Sequence, residues 1–159
     1  MDDRTRKIIL ITLAVVVGLF FIYILGDAFS PGSYPHAETY ELDYPESEVI
    51  KAINEFKTDN PNIVGPDFLV DERINGQWYN VYFYFQDENK IVYTWTRPSG
   101  KNSTTFAFVS LNEGLTLGNW KDINDDFGFS ENRRLKGIFK ERILKEIEKR
   151  LTTDKKRLK

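Results

Sequence analysis

Residues 78–96 read WYNVYFYFQDENKIVYTWT and contain two runs that are rich in β-branched and aromatic side chains. The first run covers residues 78–85, the second covers residues 91–96, and the polar residues 87–90 separate them. Such side chains favour strands, and a short polar interruption between two strands is typical of a hairpin. The stretch therefore predicts an antiparallel hairpin in the middle of the chain.

Alternation of side chains divides this predicted hairpin into two faces. A register that pairs Gln86 with Ile91 fits a loop of two or four residues, and it places Tyr84 opposite Tyr93. One face is then plainly apolar, and the other combines large aromatic rings with polar tips. The apolar face contains Val81, Phe83 and Phe85. The amphipathic face contains Trp78, Asn80, Tyr82, Tyr84, Tyr93, Trp95 and Arg97.

Elements on both sides of the hairpin extend it into an antiparallel meander. Residues 104–111 predict a further strand, residues 68–73 predict another before the turn at Asn75-Gly76, and residues 38–42 predict a short one. Acidic residues and a proline at positions 44–48 suit the first turn of a helix, and apolar residues follow at helical spacing. This helix is expected to end at Asn60-Pro61.

A long amphipathic helix is predicted near the C-terminus, beginning at Ser130 as its N-cap. Its apolar stripe consists of Leu135, Ile138, Phe139, Ile143, Ile147 and Leu151. The order β-α-ββββ-α predicts an α+β fold, with two helices on one face of an antiparallel sheet of about four to six strands. A helix-grip-like arrangement, in which the last helix lies across the sheet, is one candidate.

Residues 8–25 read IILITLAVVVGLFFIYIL, a run without charge that is long enough to cross a bilayer as a helix. Arg4, Arg6 and Lys7 precede the run, and residues 26–50 contain no Lys or Arg. The excess of positive charge before the run places the N-terminus in the cytoplasm and the rest of the chain outside it. The sequence therefore predicts a single-pass signal anchor with an extracytoplasmic domain.

The competing interpretation of this N-terminal run is a cleaved signal peptide, because Gly26 and Ala28 are small residues just before Phe29. The run is longer than the apolar core of most signal peptides, and Asp27 is atypical there, so a retained anchor is favoured. Both interpretations export the domain. The predicted organisation is a cytoplasmic N-terminus 1–7, a membrane helix 8–25, a linker 26–37, a domain 38–152 and a basic tail 153–159.

The amphipathic face of the hairpin is the first candidate site. Tyr and Trp are common in binding surfaces, and Arg97 and Asn80 could give directional hydrogen bonds to a sugar ring, a peptide or a small apolar ligand. Ordinary cross-strand aromatic pairing, worth about 0.2–1 kcal/mol a pair, is the simpler account of the same residues. Exposure of the rings distinguishes the two interpretations.

Asp122, Asn124 and Asp126 repeat the D-x-N-x-D spacing that can direct oxygen ligands at calcium. The match with a calcium loop then fails, because Gly128 comes one position late and Arg133 stands where a bidentate acid is needed. A solvated loop that caps the following helix is therefore favoured over a calcium site, and no other cofactor is indicated.

Composition leaves little inventory for catalysis. The 159 residues include no cysteine and one histidine, His36 in the predicted linker, which excludes thiolate and His-assisted nucleophiles. Paired carboxylates remain available for a hydrolase. The candidates are Asp67, Asp71 and Glu72 near the sheet, and Asp122, Asp125 and Asp126 in a loop.

These observations predict a membrane-anchored extracytoplasmic binding or accessory domain without catalytic activity. Its expected partners are the lipid bilayer, through residues 8–25, and another envelope protein, a glycan or a small apolar ligand. Nucleic acid is not expected, because the net charge is −2 and residues 149–159 carry six basic residues against one acid, which leaves the rest of the chain mildly acidic. The alternatives are a carboxylate-dependent hydrolase of the cell envelope and a structural subunit of a membrane complex.

Overall fold

The computed structural model describes residues 2–28, 34–74 and 76–157, and the chain divides into two compact units, Met1–Pro35 and His36–Lys159. The first unit contains helix α1, Asp3–Ala28. Among the described residues, no helix combines the length and the apolarity that crossing a membrane requires. Within the predicted membrane run, the side chains at positions 8, 9, 11 and 21–25 lie outside the described part of the chain.

The second unit is an α+β domain, which confirms the α+β part of the predicted fold, and its described residues form a six-stranded antiparallel sheet with helices. The strands are β1 Glu38–Leu42, β2 Glu72–Ile74, β3 Trp78–Phe85, β4 Lys90–Gly100, β5 Ser103–Glu113 and β6 Trp120–Asp122. The helices are α2 Glu46–Asp59, a 3₁₀ turn Pro61–Ile63, α3 Phe129–Phe139, a π-helical segment Lys140–Leu144 and α4 Lys145–Arg157.

The strands lie in the order β1-β5-β4-β3-β2, and β6 also pairs with β5. Strands β1 and β6 occupy successive stretches of β5, because Glu38 lies opposite Phe108 and Asp122 lies opposite Ser110. The predicted meander is therefore present from β2 to β5. Strand β1, the first strand of the domain, pairs with β5 on the side away from β4.

The register of the central hairpin differs from the prediction. Phe85 pairs with Lys90 and Tyr82 with Tyr93, so the predicted pairing of Tyr84 with Tyr93 is wrong by two positions on β3. The loop contains residues 86–89, and Asn89 adopts a positive φ of 51° there. A slip of two positions keeps every side chain on its predicted face, so the division into an apolar and an amphipathic face survives.

Two further boundaries differ from the prediction. Strand β2 covers only Glu72–Ile74, because pairing with β3 is confined to residues 78–80, whereas the predicted strand covered residues 68–73. Helix α3 begins at Phe129, and the backbone carbonyl of Gly128 accepts the N–H of Asn132. Ser130 therefore lies inside the first turn and is not the N-cap.

One face of the sheet forms the large core with α2 and the C-terminal helices. Phe139 of α3 is fully buried and stacks on Phe108, with ring centroids 4.7 Å apart. The apolar stripe predicted for the C-terminal helix is buried here, except that Ile138 is half-buried. Buried residues recur every four positions along the C-terminal helices. In an α-helix such a spacing drifts around the axis, because one turn has 3.6 residues. The π-helical segment has more residues per turn and therefore keeps the buried residues on one side. These residues are Leu135, Phe139, Ile143, Ile147 and Leu151.

Candidate binding surface

The face of the sheet opposite the large core carries a second aromatic group, which we name the aromatic face. It contains Trp78, Tyr82, Tyr84, Tyr93 and Trp95 from β3 and β4, together with Trp120 from β6. Trp95 forms its buried part with Ala107 and Val109 of β5, and Ala37, just before β1, packs against the same cluster. The structure thus brings the predicted aromatic residues together and adds Trp120 to them.

The rings of the aromatic face contact one another. Tyr82 and Tyr93 stack with centroids 5.2 Å apart and planes 20° from parallel. Trp120 lies 6.0 Å from Tyr93 in an edge arrangement and 6.4 Å from Tyr82. Trp78 and Trp95 are 6.2 Å apart and tilted. Offset and edge contacts of this kind stabilise aromatic pairs by about 0.5–1.5 kcal/mol beyond the area that they bury.

Polar groups at this face pair with nearby side chains. The Tyr93 hydroxyl donates to Asn80 Oδ1 at 3.0 Å, and the Tyr84 hydroxyl donates to Asn89 Oδ1 at 2.8 Å. The Arg97 guanidinium lies 5.7 Å from the centre of the Trp95 ring, within the range of a cation–π contact. Arg97 therefore covers one side of that indole.

Exposure separates the seven predicted site residues into three groups. Trp95 and Asn80 are buried, at 5% and 4% exposure, so they support the surface from beneath. The half-buried residues are Trp78, Tyr82, Tyr84 and Tyr93, and Arg97 is exposed. A partner that approaches this face can therefore contact the half-buried rings and Arg97.

The sequence interpretation missed the loop that leads into Trp120. Gly114 to Gly118 reads GLTLG, and it holds Leu115 at 50% and Leu117 at 46% exposure. The loop is organised by Asn112, which is fully buried. Its Nδ2 donates to the carbonyls of Gly114 and Thr116, at 2.9 and 3.0 Å, and its Oδ1 accepts the N–H of Asn119. The two glycines that bracket the loop could have indicated it from the sequence.

An ion pair closes the edge of β3 beyond β2. Asp71 Oδ1 accepts the backbone N–H of Tyr82 at 2.9 Å, while Lys57 Nζ donates to the Tyr82 carbonyl at 2.7 Å and to Asp71 Oδ2. Burial lowers the pKa of Lys57, and the Asp71 carboxylate opposes that shift. Gly65 fits here because an added Cβ would lie 3.0 Å from the Tyr82 carbonyl oxygen.

Asn124, the middle residue of the predicted calcium pattern, joins three elements. Its Nδ2 donates to the His36 carbonyl before β1, and its Oδ1 accepts from Asn132 and Lys136 of α3. Asp126 Oδ2 accepts the backbone N–H of Asp122, the last residue of β6. These contacts give the three residues a structural role, while a calcium site here stays a prediction.

The candidate carboxylates differ in their surroundings. Burial raises the pKa of Asp122, and the neighbouring Asp126 adds to that shift. Within the described residues, no group of three or more potential metal-ligating side chains comes together. Asp71 is engaged by Lys57, and Asp67 and Glu72 are exposed. The geometry therefore gives the candidate carboxylates structural contacts or solvent.

A buried carboxylate that the sequence interpretation did not consider is Glu46, in the first turn of α2. Its Oε2 accepts from Arg73 Nη2 at 2.6 Å, and its Oε1 accepts from the Thr96 hydroxyl at 3.0 Å. Both oxygens thus have partners that fix α2 to β2 and β4. This arrangement is that of a structural ion pair.

No family model, curated protein or solved structure matches this chain. Its function is therefore argued from its own residues.

Proposed function

We propose that the chain is a membrane-anchored, extracytoplasmic binding or accessory domain without catalytic activity, which contacts its partner through the aromatic face. The observation that carries this proposal is the group of half-buried Tyr and Trp rings on the side of the sheet opposite the large core. Tyr and Trp are enriched where one end of a side chain meets an apolar surface and the other meets water.

The anchoring part of the proposal rests on residues 8–25 and the charges around them. This uncharged run lies within α1, whose 26 residues correspond to a helix of about 39 Å. The hydrocarbon core of a bilayer is about 30 Å thick. Basic residues lie on one side of this run and not on the other, at Arg4, Arg6 and Lys7. This asymmetry favours a cytoplasmic N-terminus and an exported domain.

Ring geometry favours an apolar partner over a glycan. A sugar stacks flat on an aromatic ring, but Tyr82 and Tyr93 present ring faces to each other, and Arg97 covers Trp95. Stacking thus leaves no more than one face of each of these two rings for a ligand. This arrangement suits apolar side chains or acyl groups, which need no flat stacking surface.

The domain is proposed to resemble a helix-grip arrangement in which the last helix lies across the sheet. Between the sheet and the C-terminal helices, Phe139 of α3 contacts the rings of Phe106 and Phe108 of β5, and all three are at most 1% exposed. This packing favours binding at the outer, aromatic face over binding beneath the helix. The ion pairs of Asp71 and Glu46 likewise give no support to the hydrolase alternative.

Photo-crosslinking tests the binding surface. A benzophenone amino acid at position 84, on the aromatic face, is compared in cells with the same group at position 129, where Phe129 is 85% exposed at the start of α3. We expect adducts from position 84 and few from position 129. Equal labelling at both positions would count against the aromatic face as the binding surface.

Reporter fusions at the C-terminus test the anchoring separately. A phosphatase that folds only outside the cytoplasm should be active, and a fluorescent protein that folds only in the cytoplasm should be dark. The reverse result would overturn the proposed topology.

A further inference from the structure

We propose that the aromatic face rests on the surface of the lipid bilayer that anchors the chain, and that Leu115 and Leu117 enter the interface beside Trp120. This inference rests on the proposed function, because only an anchored domain is held beside a bilayer. It names the lipid surface as the partner of the aromatic face.

The first observation is the place where the chain enters the domain. Ala37 packs against the buried cluster of the aromatic face, which includes Trp95 and Val109. Between Leu25, the end of the proposed membrane run, and Ala37 lie residues 26–36. The chain therefore enters the domain at the aromatic face.

The second observation is the chemistry of the face. Trp and Tyr are enriched where the bilayer meets water, because the rings partition toward the acyl chains and the polar tips toward headgroups. Tyr84 and Tyr93 have their hydroxyls bonded to Asn89 and Asn80. These hydroxyls therefore enter a less polar medium with a hydrogen-bond partner already in place. Arg97, which is exposed, can reach an anionic headgroup.

The third observation is the loop from Gly114 to Gly118. It carries no charge and two leucines that are about half exposed. Irregular backbone is costly in an apolar medium unless its polar groups have partners. The buried Asn112 amide supplies them for the carbonyls of Gly114 and Thr116. The loop is thus preformed with its leucines outward and part of its backbone satisfied from within.

The chain contains its own probe for this contact. Its three tryptophans are Trp78, Trp95 and Trp120, so tryptophan emission, excited selectively over tyrosine, reports on the aromatic face alone. The full chain is reconstituted into vesicles of phosphatidylcholine and phosphatidylglycerol, with or without bromine on the upper acyl positions. Flotation of the vesicles measures anchoring, and loss of tryptophan emission with brominated lipid measures contact of the face with the bilayer.

We expect the wild-type chain to float and to lose emission in brominated vesicles. The double variant L115S/L117S should still float but lose much less emission. Phe129→Ser is the matched control, since it removes an exposed apolar side chain from α3, and it should behave like the wild-type chain. Thermal unfolding of the three proteins checks that the substitutions leave the domain folded.

Other outcomes overturn the inference in distinguishable ways. A wild-type chain that floats without bromine quenching would refute lipid contact while leaving the anchor intact. Emission that changes with the protein-to-lipid ratio but not with bromine would indicate a second copy of the chain on this face. A chain that does not float would refute the anchoring itself.

Discussion

The two faces of the sheet are built from the same strands but from different aromatic residues. The large core uses Phe side chains, such as Phe83 and Phe106, which are fully buried beneath helices. The aromatic face uses Tyr and Trp, such as Tyr84 and Trp120, which are half-buried. Phenylalanine has no polar atom to satisfy, whereas tyrosine and tryptophan keep one end in contact with a polar partner. Phenylalanine therefore fills the fully buried part of the large core, while the tyrosines that pack against this core, such as Tyr40, are only partly buried.

The contrast predicts that removing a ring from the large core lowers the free energy of unfolding much more than removing a ring from the aromatic face. Phe139→Ala deletes a fully buried ring that contacts Phe106 and Phe108, and it should lower the free energy of unfolding by about 3–5 kcal/mol. Trp120→Ala removes a half-buried ring and should cost roughly half of that or less. Denaturant unfolding followed by circular dichroism measures both variants.

Phe129→Ala is the control for that pair, because an 85% exposed side chain should change stability by no more than about 0.5 kcal/mol. If Trp120→Ala proves as destabilising as Phe139→Ala, the aromatic face is a second core. The proposed binding surface would then be wrong.

The next largest loss of stability is expected for Asn112, which organises the loop from Gly114 to Gly118 beside the aromatic face. Asn112→Ala removes a buried amide that bonds to three backbone groups, and it should lower the free energy of unfolding by about 1–3 kcal/mol. Hydrogen exchange should show faster exchange of the Asn119 amide, which loses its acceptor. Thr116→Ala keeps the backbone carbonyl and should leave that exchange rate nearly unchanged. Unaltered exchange in Asn112→Ala would contradict the assigned role.

The smallest effect concerns Glu41, on β1 near the tip of the β4–β5 hairpin. Hydrogen bonds from Thr105 and then Ser99 lower the pKa of Glu41 below its ordinary value. Because the pKa is lower in the folded state, the associated stability is present above the ordinary value and is lost as the pH falls through the folded pKa. Thr105→Val should raise the pKa of Glu41, as measured by carbon NMR of its carboxyl group. Ser99→Ala should raise it less, and a pKa that stays low in Thr105→Val would refute the assignment.

Much of the fold followed from periodicity in the sequence. Alternation over residues 78–85 placed each side chain of β3 on the face where it lies. The stripe from Leu135 to Leu151 likewise predicted the buried side of the C-terminal helix. These signals are strong because each repeats over several turns or several residue pairs. Location in the membrane and the partner are not determined by such patterns and stay predictions.

The parts that were missed depend on single contacts. Alternation fixes which face a side chain occupies but not which residue it pairs with, so the hairpin register was wrong by two positions. Strand β6 has three residues, too few for a pattern, and Trp120 therefore escaped notice. The role of Asn124 depends on a partner far along the chain, the His36 carbonyl. Asn112 bonds to backbone groups of an irregular loop, which no periodic pattern indicates.

The Lys57–Asp71 pair hinders strand pairing between copies of this chain. The run WYNVYFYF in β3 has the high β-propensity and low charge that promote intermolecular strand pairing and amyloid. Beyond β2, its outer edge is covered at Tyr82 by the side chains of Asp71 and Lys57 and at Phe83 by a backbone bridge from Val64. A foreign strand would have to displace a largely buried ion pair before it could add to the sheet. Together with Val64, the pair therefore protects this stretch of β3 against the addition of a strand from another copy.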